Sequence, residues 1–369
     1  MKIVVIGAGV AGLSIGWRLA QAGAQVTVLE RAQPGRGATW ASAGMIAATA
    51  EIEEGDIPQA RLGHHAASLW PHFAREIEEL SGIDPGYRVD GTLIVARSPA
   101  EAASLERRGK GSTALEFLMP SAAKLLEPLL SDNVAGALFD PDEAQVNNRA
   151  LALALGIAFQ KAGGALKINE PVVRFEIENG RAAAARTPFA HYRADAFILA
   201  AGAWSGRIEG LPADGVPAVI PVKGEMIALS PKGDAMPKHM VWGNEVYVVP
   251  RHHRLLVGAT VTREGFDTRI TRAAADWLNA RAVGLMPALA QWDLVDHWAG
   301  LRPGSPDDLP LIGPSSLDGL FVASGQFRNG ILFAPAIAEA MCDIVLKQAS
   351  PLPAFDPRRF AKQRASAYL

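Results

Sequence analysis

Gly7, Gly9 and Gly12, followed by the acid Glu30, have the residue types and spacing suited to holding a dinucleotide. Glycine at the first of these positions permits a tight turn. At the second it lets the backbone approach a pyrophosphate, and at the third it lets a helix pack closely on a strand. The pyrophosphate would then meet the free N–H groups and positive dipole end of that helix. Glu30 would accept hydrogen bonds from both hydroxyls of an adenosine ribose. The same glycines would also suit an ordinary turn in an α/β protein, so the reading depends on the elements around them.

Those elements are legible. Residues 2–6, Lys-Ile-Val-Val-Ile, form an apolar β-branched run, as expected of a parallel strand buried on both faces. Residues 13–22 hold no proline and mostly good helix formers, and 25–29 read as a second strand ending at Glu30. The glycine pattern continues to Gly16 and Gly23, a spacing typical of FAD-binding versions of the motif. A nicotinamide enzyme would also need an acid or base opposite the ring, and no histidine stands in an obvious strand-end loop.

Residues 34–50 are rich in small side chains and carry neither a strand nor a helix period, so a loop is expected. Its amides could approach a flat or phosphorylated ligand. The acidic cluster at 51–56 reads as a solvated surface. A helix is expected over 61–80, where His64, His65 and His72 lack the partners a metal would need, so no metal site is expected. Strands are expected at 91–96, 171–177, 193–205 (running into a glycine turn), 222–230 and 320–325. A hairpin should join 246–250 to 255–260. Helices are expected within 99–128, at 148–160, at 271–286 and at 331–347, where Pro335 is tolerable near the first turn.

The 369 residues suffice for one large or two ordinary domains. With 49% apolar residues, 20% charged residues and a net charge of −2, there is neither a basic excess for nucleic acid nor an acidic tail. A strand starting at Lys2 leaves no room for a signal or transit peptide. No apolar run approaches the roughly 18–20 residues needed to span a bilayer. The single cysteine, Cys342, excludes intrachain disulfides and Cys-rich metal or iron–sulfur sites. A soluble, cytoplasmic protein is expected.

Several stretches carry a more specific likeness: Gly-Arg-Gly-Ala-Thr-Trp-Ala-Ser-Ala-Gly-Met at 35–45, Pro-Val-Lys-Gly-Glu at 221–225, and Val-Tyr-Val-Val-Pro-Arg at 246–251. Trp-Ala-Gly-Leu-Arg-Pro at 298–303 and Phe-Arg-Asn-Gly-Ile-Leu at 327–332 complete the set. Through them, from Lys2 nearly to the C-terminus, the sequence resembles the D-amino-acid oxidase family of flavoproteins, and within it the glycine oxidases of thiamine biosynthesis.

The resemblance implies an α/β chain: a Rossmann-type FAD-binding domain (1–82, 143–216 and 298–369) with an inserted α+β substrate domain built on an antiparallel sheet (83–142 and 217–297). It implies hydride transfer from the Cα of a small amino acid to flavin, hydrolysis of the imine, and reoxidation by O2 to give hydrogen peroxide. Arg302 and Tyr247 would bind the substrate carboxylate, and Arg328 would contact the substrate. Gly7, Gly9, Val10, Gly12, Glu30 and Arg31 would hold the ADP half of FAD, with Val172 against adenine and Gly202 nearby. Ala38, Thr39, Ala43, Gly44 and Met45 would line pyrophosphate and isoalloxazine. Gln326, Phe327, Arg328, Asn329, Gly330, Ile331 and Leu332 would approach the pyrimidine edge. No acid–base residue is required if the amine binds unprotonated. Relatives that tether flavin use a cysteine after the Arg-Pro stretch. Cys342 lies in the C-terminal helix instead, so FAD should be non-covalent.

Three departures leave the amino acid open: Gln326 where glycine oxidases commonly have histidine, Glu245 beside Tyr247, and the bulky Trp40. The rival readings are a sarcosine-like or D-amino acid oxidase, a dehydrogenase passing electrons to a partner, and a non-catalytic FAD-binding subunit. A homo-oligomer is compatible with all of them.

Overall fold

The computed structural model describes residues 1–52, 57–212, 216–243 and 245–360. Parts of two expected features, the acidic cluster (53–56) and the first domain (213–215 and 361–369), lie outside the described residues.

The strand Lys2–Ile6 is an unbroken apolar run over residues 3–6 because both faces and both edges are covered there. It pairs in parallel with Gln25–Leu29 on one side and Ala196–Leu199 on the other. Ile3 and Val5 face one core, while Val4 and Ile6 face another with Phe175 and Phe197. The sheet runs in the order Leu311–Pro314, Leu320–Ser324, Ala196–Leu199, Lys2–Ile6, Gln25–Leu29, Ala165–Lys167. Only its Leu311–Pro314 edge is antiparallel. The helices Val10–Gln21, Ile57–Ser81, Asn148–Lys161 and Ala334–Lys347 build the first core. The other face carries the antiparallel strands Arg174–Glu178, Arg181–Arg186 and His191–Arg193.

The second sheet has eight strands, ordered Asp293–Gly304, Ile220–Ser230, Arg254–Gly258, Val246–Arg251, Met240–Gly243, Thr92–Ala96, Gly136–Asp140, Glu116–Leu118. One pairing, Met240–Gly243 with Thr92–Ala96, is parallel. Side chains alternate across such a sheet with period two. Ile227, Leu229, Val248 and Val257 therefore turn toward the helix Arg272–Leu285 and its neighbours. Met226, Ala228, Val249, Leu256 and Trp298 turn the other way, against Ala41, Ala43 and Met45. This second face is where the two halves of the molecule meet.

Several features differ from the expectations, three of them near the cavity or the domain border. Strand Asp293–Gly304 pairs with Ile220–Ser230 along its length, so the border expected at 298 falls inside a strand. Gly136–Asp140, paired on both edges, is a strand the sequence does not announce. Residues 34–50 are also more ordered than a loop: one-turn helices Ala38–Ala41 and Ala48–Glu51 flank the strand Met45–Ile46. Long-range hydrogen bonds impose that order, and small side chains carry no periodic signal of it. Asn148 Nδ2 donates to the carbonyls of Thr39 (2.8 Å) and Trp40 (2.9 Å), and Trp298 Nε1 donates to that of Ala41 (3.0 Å).

Candidate functional site

The site begins where the first strand ends. Gly7 has φ +104°, and a Cβ there would stand 2.5 Å from the Ala200 carbonyl oxygen. A Cβ on Gly12 would stand 2.0 Å from the Gly7 oxygen, so these two glycines set how closely helix Val10–Gln21 packs on its strand. Gly9 caps that helix without a side-chain hydrogen bond, and Val10 N donates to Thr39 Oγ1 (3.0 Å). The positive end of a twelve-residue helix thus opens into a cavity of about 400 Å³.

Glu30 lines the same cavity, its carboxylate held by the amides of Ala8 (2.8 Å) and Ala32 (3.0 Å). Arg31 lies 3.5 Å from the ring centroid of Trp204. Desolvation lowers its pKa, and neighbouring Glu30 partly offsets the shift. Val172 and Gly202 complete this end.

The far end is built by the second sheet. Opposite residues on paired strands share a face, so the pairs Val222–Arg302, Gly224–Gly300 and Met226–Trp298 point the same way. Tyr247 joins them from the next hairpin, its hydroxyl 3.7 Å from Met226 Sδ. Arg302 Nη1 donates to the carbonyls of Thr260 (3.1 Å) and Lys223 (3.4 Å), which orients the guanidinium plane. Both polar groups sit over glycines. A Cβ on Gly224 would lie 2.2 Å from Arg302 Nη1, and one on Gly258 would lie 2.4 Å from the Tyr247 hydroxyl oxygen. Burial lowers the pKa of Arg302 and raises that of Tyr247, with each moderating the other's shift. The exposed Arg328 rests over the Trp242 ring, 5.1 Å from its centroid.

Ala38, Thr39, Ala43, Gly44 and Met45 line the middle of the cavity. Gly44 has φ +79°, and a Cβ there would meet the Val146 carbonyl oxygen at 2.1 Å. Arg251 Nη2 donates to the Ala43 carbonyl (2.7 Å) and so fixes this stretch from behind. Gln326, Phe327, Arg328, Gly330 and Ile331 line one wall. Gln326 Nε2 is buried there without a partner.

Three expected site residues do not line the cavity. Gly12 serves the helix–strand contact. Asn329 fixes the turn, its amide donating to the Gln326 carbonyl (2.9 Å), while Leu332 is fully buried and accepts from Trp70 Nε1 (2.9 Å).

Glu51 was missed. Its acidic stretch suggests a solvated surface, but it is half-buried and lines the cavity with Tyr247, Arg302 and Arg328. Burial pushes its carboxyl up to about 7, against the pull of Arg328 and Arg302. Only the fold brings it there. Gly224, Gly300 and Met226 were also missed as lining residues, although the two glycines lie inside stretches whose likeness was noted.

A long cavity with an open helix N-terminus, a ribose-type acid at one end and an unpartnered amide on its wall fits FAD. The described residues thus pass the test that the cofactor sets. A family model described as FAD dependent oxidoreductase, DAO, matches residues 2–344. The bifunctional protein ThiO/ThiG of a Synechocystis strain is 36% identical over 97% of this chain. The chain spans 54% of that protein, and about half of two further bifunctional relatives. A glycine oxidase of Pseudomonas aeruginosa is 33% identical over 98% of both chains. The crystal structure of glycine oxidase from Geobacillus kaustophilus superposes with a TM-score of 0.90 at 33% identity, covering 97% of this chain and 99% of that one. The cleft, its cofactor chemistry and these likenesses agree, and the chain belongs to the DAO family of FAD dependent oxidoreductases.

Proposed function

We propose that this protein oxidises glycine or another small amino acid, and that the carboxylate end of the substrate is held by Arg302 and Tyr247. The observation that carries the reading is the seating of these two side chains on one sheet face, over Gly224 and Gly258, across the cavity from Glu30. A planar guanidinium meets a carboxylate through two parallel hydrogen bonds and stays charged at working pH. The phenol adds a third donor. Small residues, Ala41, Ser42 and Gly300, line the rest of the chamber, and a Cβ on Gly300 would stand 2.3 Å from Ala41 Cβ.

Bound FAD supplies the acceptor for a hydride from the substrate Cα. Gly7, Gly9, Val10, Glu30 and Arg31 would hold its ADP half, and Gln326 would offer its unpartnered amide to the pyrimidine edge. Arg328 closes the substrate end over Trp242. The chain's contribution is orientation and a desolvated, preorganised charge. In this reading O2 accepts the electrons and yields hydrogen peroxide, and the imine product hydrolyses. A cytoplasmic setting fits the single cysteine in the chain, and a homo-oligomer is compatible with it. We divide the molecule as the sequence suggests, with the substrate unit's sheet extended to Gly304. The reading concerns the oxidase unit alone.

The test is anaerobic mixing of the FAD-loaded protein with glycine, sarcosine, D-alanine and ethylamine. Small amino acids should bleach the flavin, ethylamine should not, and air should restore the colour with release of peroxide. Bleaching by none of the amino acids would overturn the reading. Bleaching without peroxide in air would make the protein a dehydrogenase.

A further inference from the structure

Two guanidiniums, Arg302 and Arg328, face the substrate end of the cavity, and an amino acid brings an ammonium as well as a carboxylate. Among the described residues lining the cavity, only Glu30 and Glu51 carry carboxyl groups. Glu30 belongs to the opposite end and is occupied by the amides of Ala8 and Ala32. Glu51 is thus the acid placed to offset the two cations where the amine must lie.

Its position is held from several sides. Glu143 Oε1 accepts from the amides of Thr49 (2.6 Å) and Ala50 (3.0 Å), and Thr49 Oγ1 donates to Asp140 Oδ2 (2.7 Å). Arg108 donates to the Thr49 carbonyl from another helix. The charged or titratable groups facing Glu51 are Arg302 from strand Asp293–Gly304, Tyr247 from Val246–Arg251 and Arg328 from the 325–330 turn.

We propose that Glu51 is a catalytic residue that receives the substrate's ammonium and takes from it the proton that must leave before Cα is oxidised. This rests on the amino-acid oxidase reading above. The balance is simple: an N–H bond breaks, an O–H bond forms on the Glu51 carboxylate, and the electron pair stays on nitrogen. That lone pair is what forms the C=N bond as the hydride departs. The proton then rests on Glu51, which the fold leaves partly exposed. Its pKa, raised to about 7, suits a proton acceptor near neutral pH.

The experiment uses the FAD-loaded wild type, Glu51→Gln and Glu51→Asp. Each is titrated anaerobically with glycine and with glycolate, which keeps the carboxylate but lacks the amine. Flavin absorbance is followed from about pH 6 to about pH 9, a range that spans the raised pKa. For Glu51→Gln, bleaching by glycine near pH 7 should slow at least about tenfold, the effect of one pKa unit. Its acid limb should move up toward the pKa of the free amine, and glycolate should bind as tightly as before or more tightly. Glu51→Asp should restore the wild-type limb in part, and it serves for the same comparison if the glutamine variant fails to hold FAD. Equal losses for glycine and glycolate, or an acid limb that stays in place, would overturn the proposal. Bleaching of the wild type by no amino acid at all would instead remove the oxidase reading, and this inference with it.

Discussion

Arg302 illustrates how one side chain does work that its charge alone does not specify. Its Nη1 is tied to the carbonyls of Thr260 and Lys223, which leaves the rest of the fork for a ligand. Lysine would keep the charge and lose the fork. Arg302→Lys should weaken glycine binding by on the order of 2 kcal/mol, about thirtyfold, the low end for truncating a buried charge pair. FAD content should not change, and a loss of FAD together with glycine would place Arg302 in the cofactor site. Gly224→Ala approaches the same group from beneath. Its Cβ would displace the guanidinium, so the half-saturating glycine concentration should rise while flavin binding holds. At the other end, Glu30→Ala removes an acceptor without touching the substrate chamber. FAD affinity should fall, with turnover per bound flavin near wild type, and equilibrium dialysis against FAD measures it.

At the scale of elements, the segment 38–51 owes its shape to groups far away in the chain. Glu143 holds the amides of Thr49 and Ala50, and so carries the one-turn helix that presents Glu51. Burial, with Asp140 adding to it, pushes the Glu143 carboxyl up to about 8, while the amides of Thr49 and Ala50 pull it down. The sign follows from linkage. The folded state keeps a proton that the unfolded chain releases, so Glu143's contribution is full below the ordinary carboxylate range. It is lost as pH rises to about 8. Thermal midpoints should therefore fall between about pH 5 and pH 8, and Glu143→Gln, neutral throughout, should show a shallower decline. Identical slopes for the two proteins would show that Glu143 does not titrate with folding.

At the scale of the molecule, the two large sheets both contribute to the cavity, so a ligand lying in it touches both. FAD should raise the midpoint of thermal unfolding, since a ligand that binds only the folded state stabilises it. At a concentration a hundredfold above its dissociation constant the gain is about 2.7 kcal/mol. Scanning calorimetry of apo and reconstituted protein reads this directly. A midpoint independent of FAD would mean that the cofactor does not bridge the two halves. Acid should release intact FAD into the supernatant, because Cys342 sits on the helix Ala334–Lys347 and does not line the cavity. Flavin remaining with the precipitated chain would show a covalent link.

The sequence by itself determined the cofactor half. Gly7, Gly9, Gly12 and Glu30 are close in the chain, and local sterics dictate their spacing: the turn, the helix contact and the acid after the second strand are one continuous unit. The apolar runs of buried strands and the periods of the long helices were legible for the same reason. Arg302, Tyr247 and Arg328 were expected at the site only because whole stretches around them resemble a family. What the tertiary structure alone decided is the end of the cavity proposed to take the substrate. Strand register sets Gly224 beneath Arg302, and a hairpin sets Tyr247 beside Met226. Hydrogen bonds from Asn148, Trp298 and Glu143 order the small-residue stretch. They also turn Glu51 from an apparent surface acid into a wall of the site. Such contacts join residues far apart in sequence, and no local pattern encodes a partner that only long-range pairing brings near.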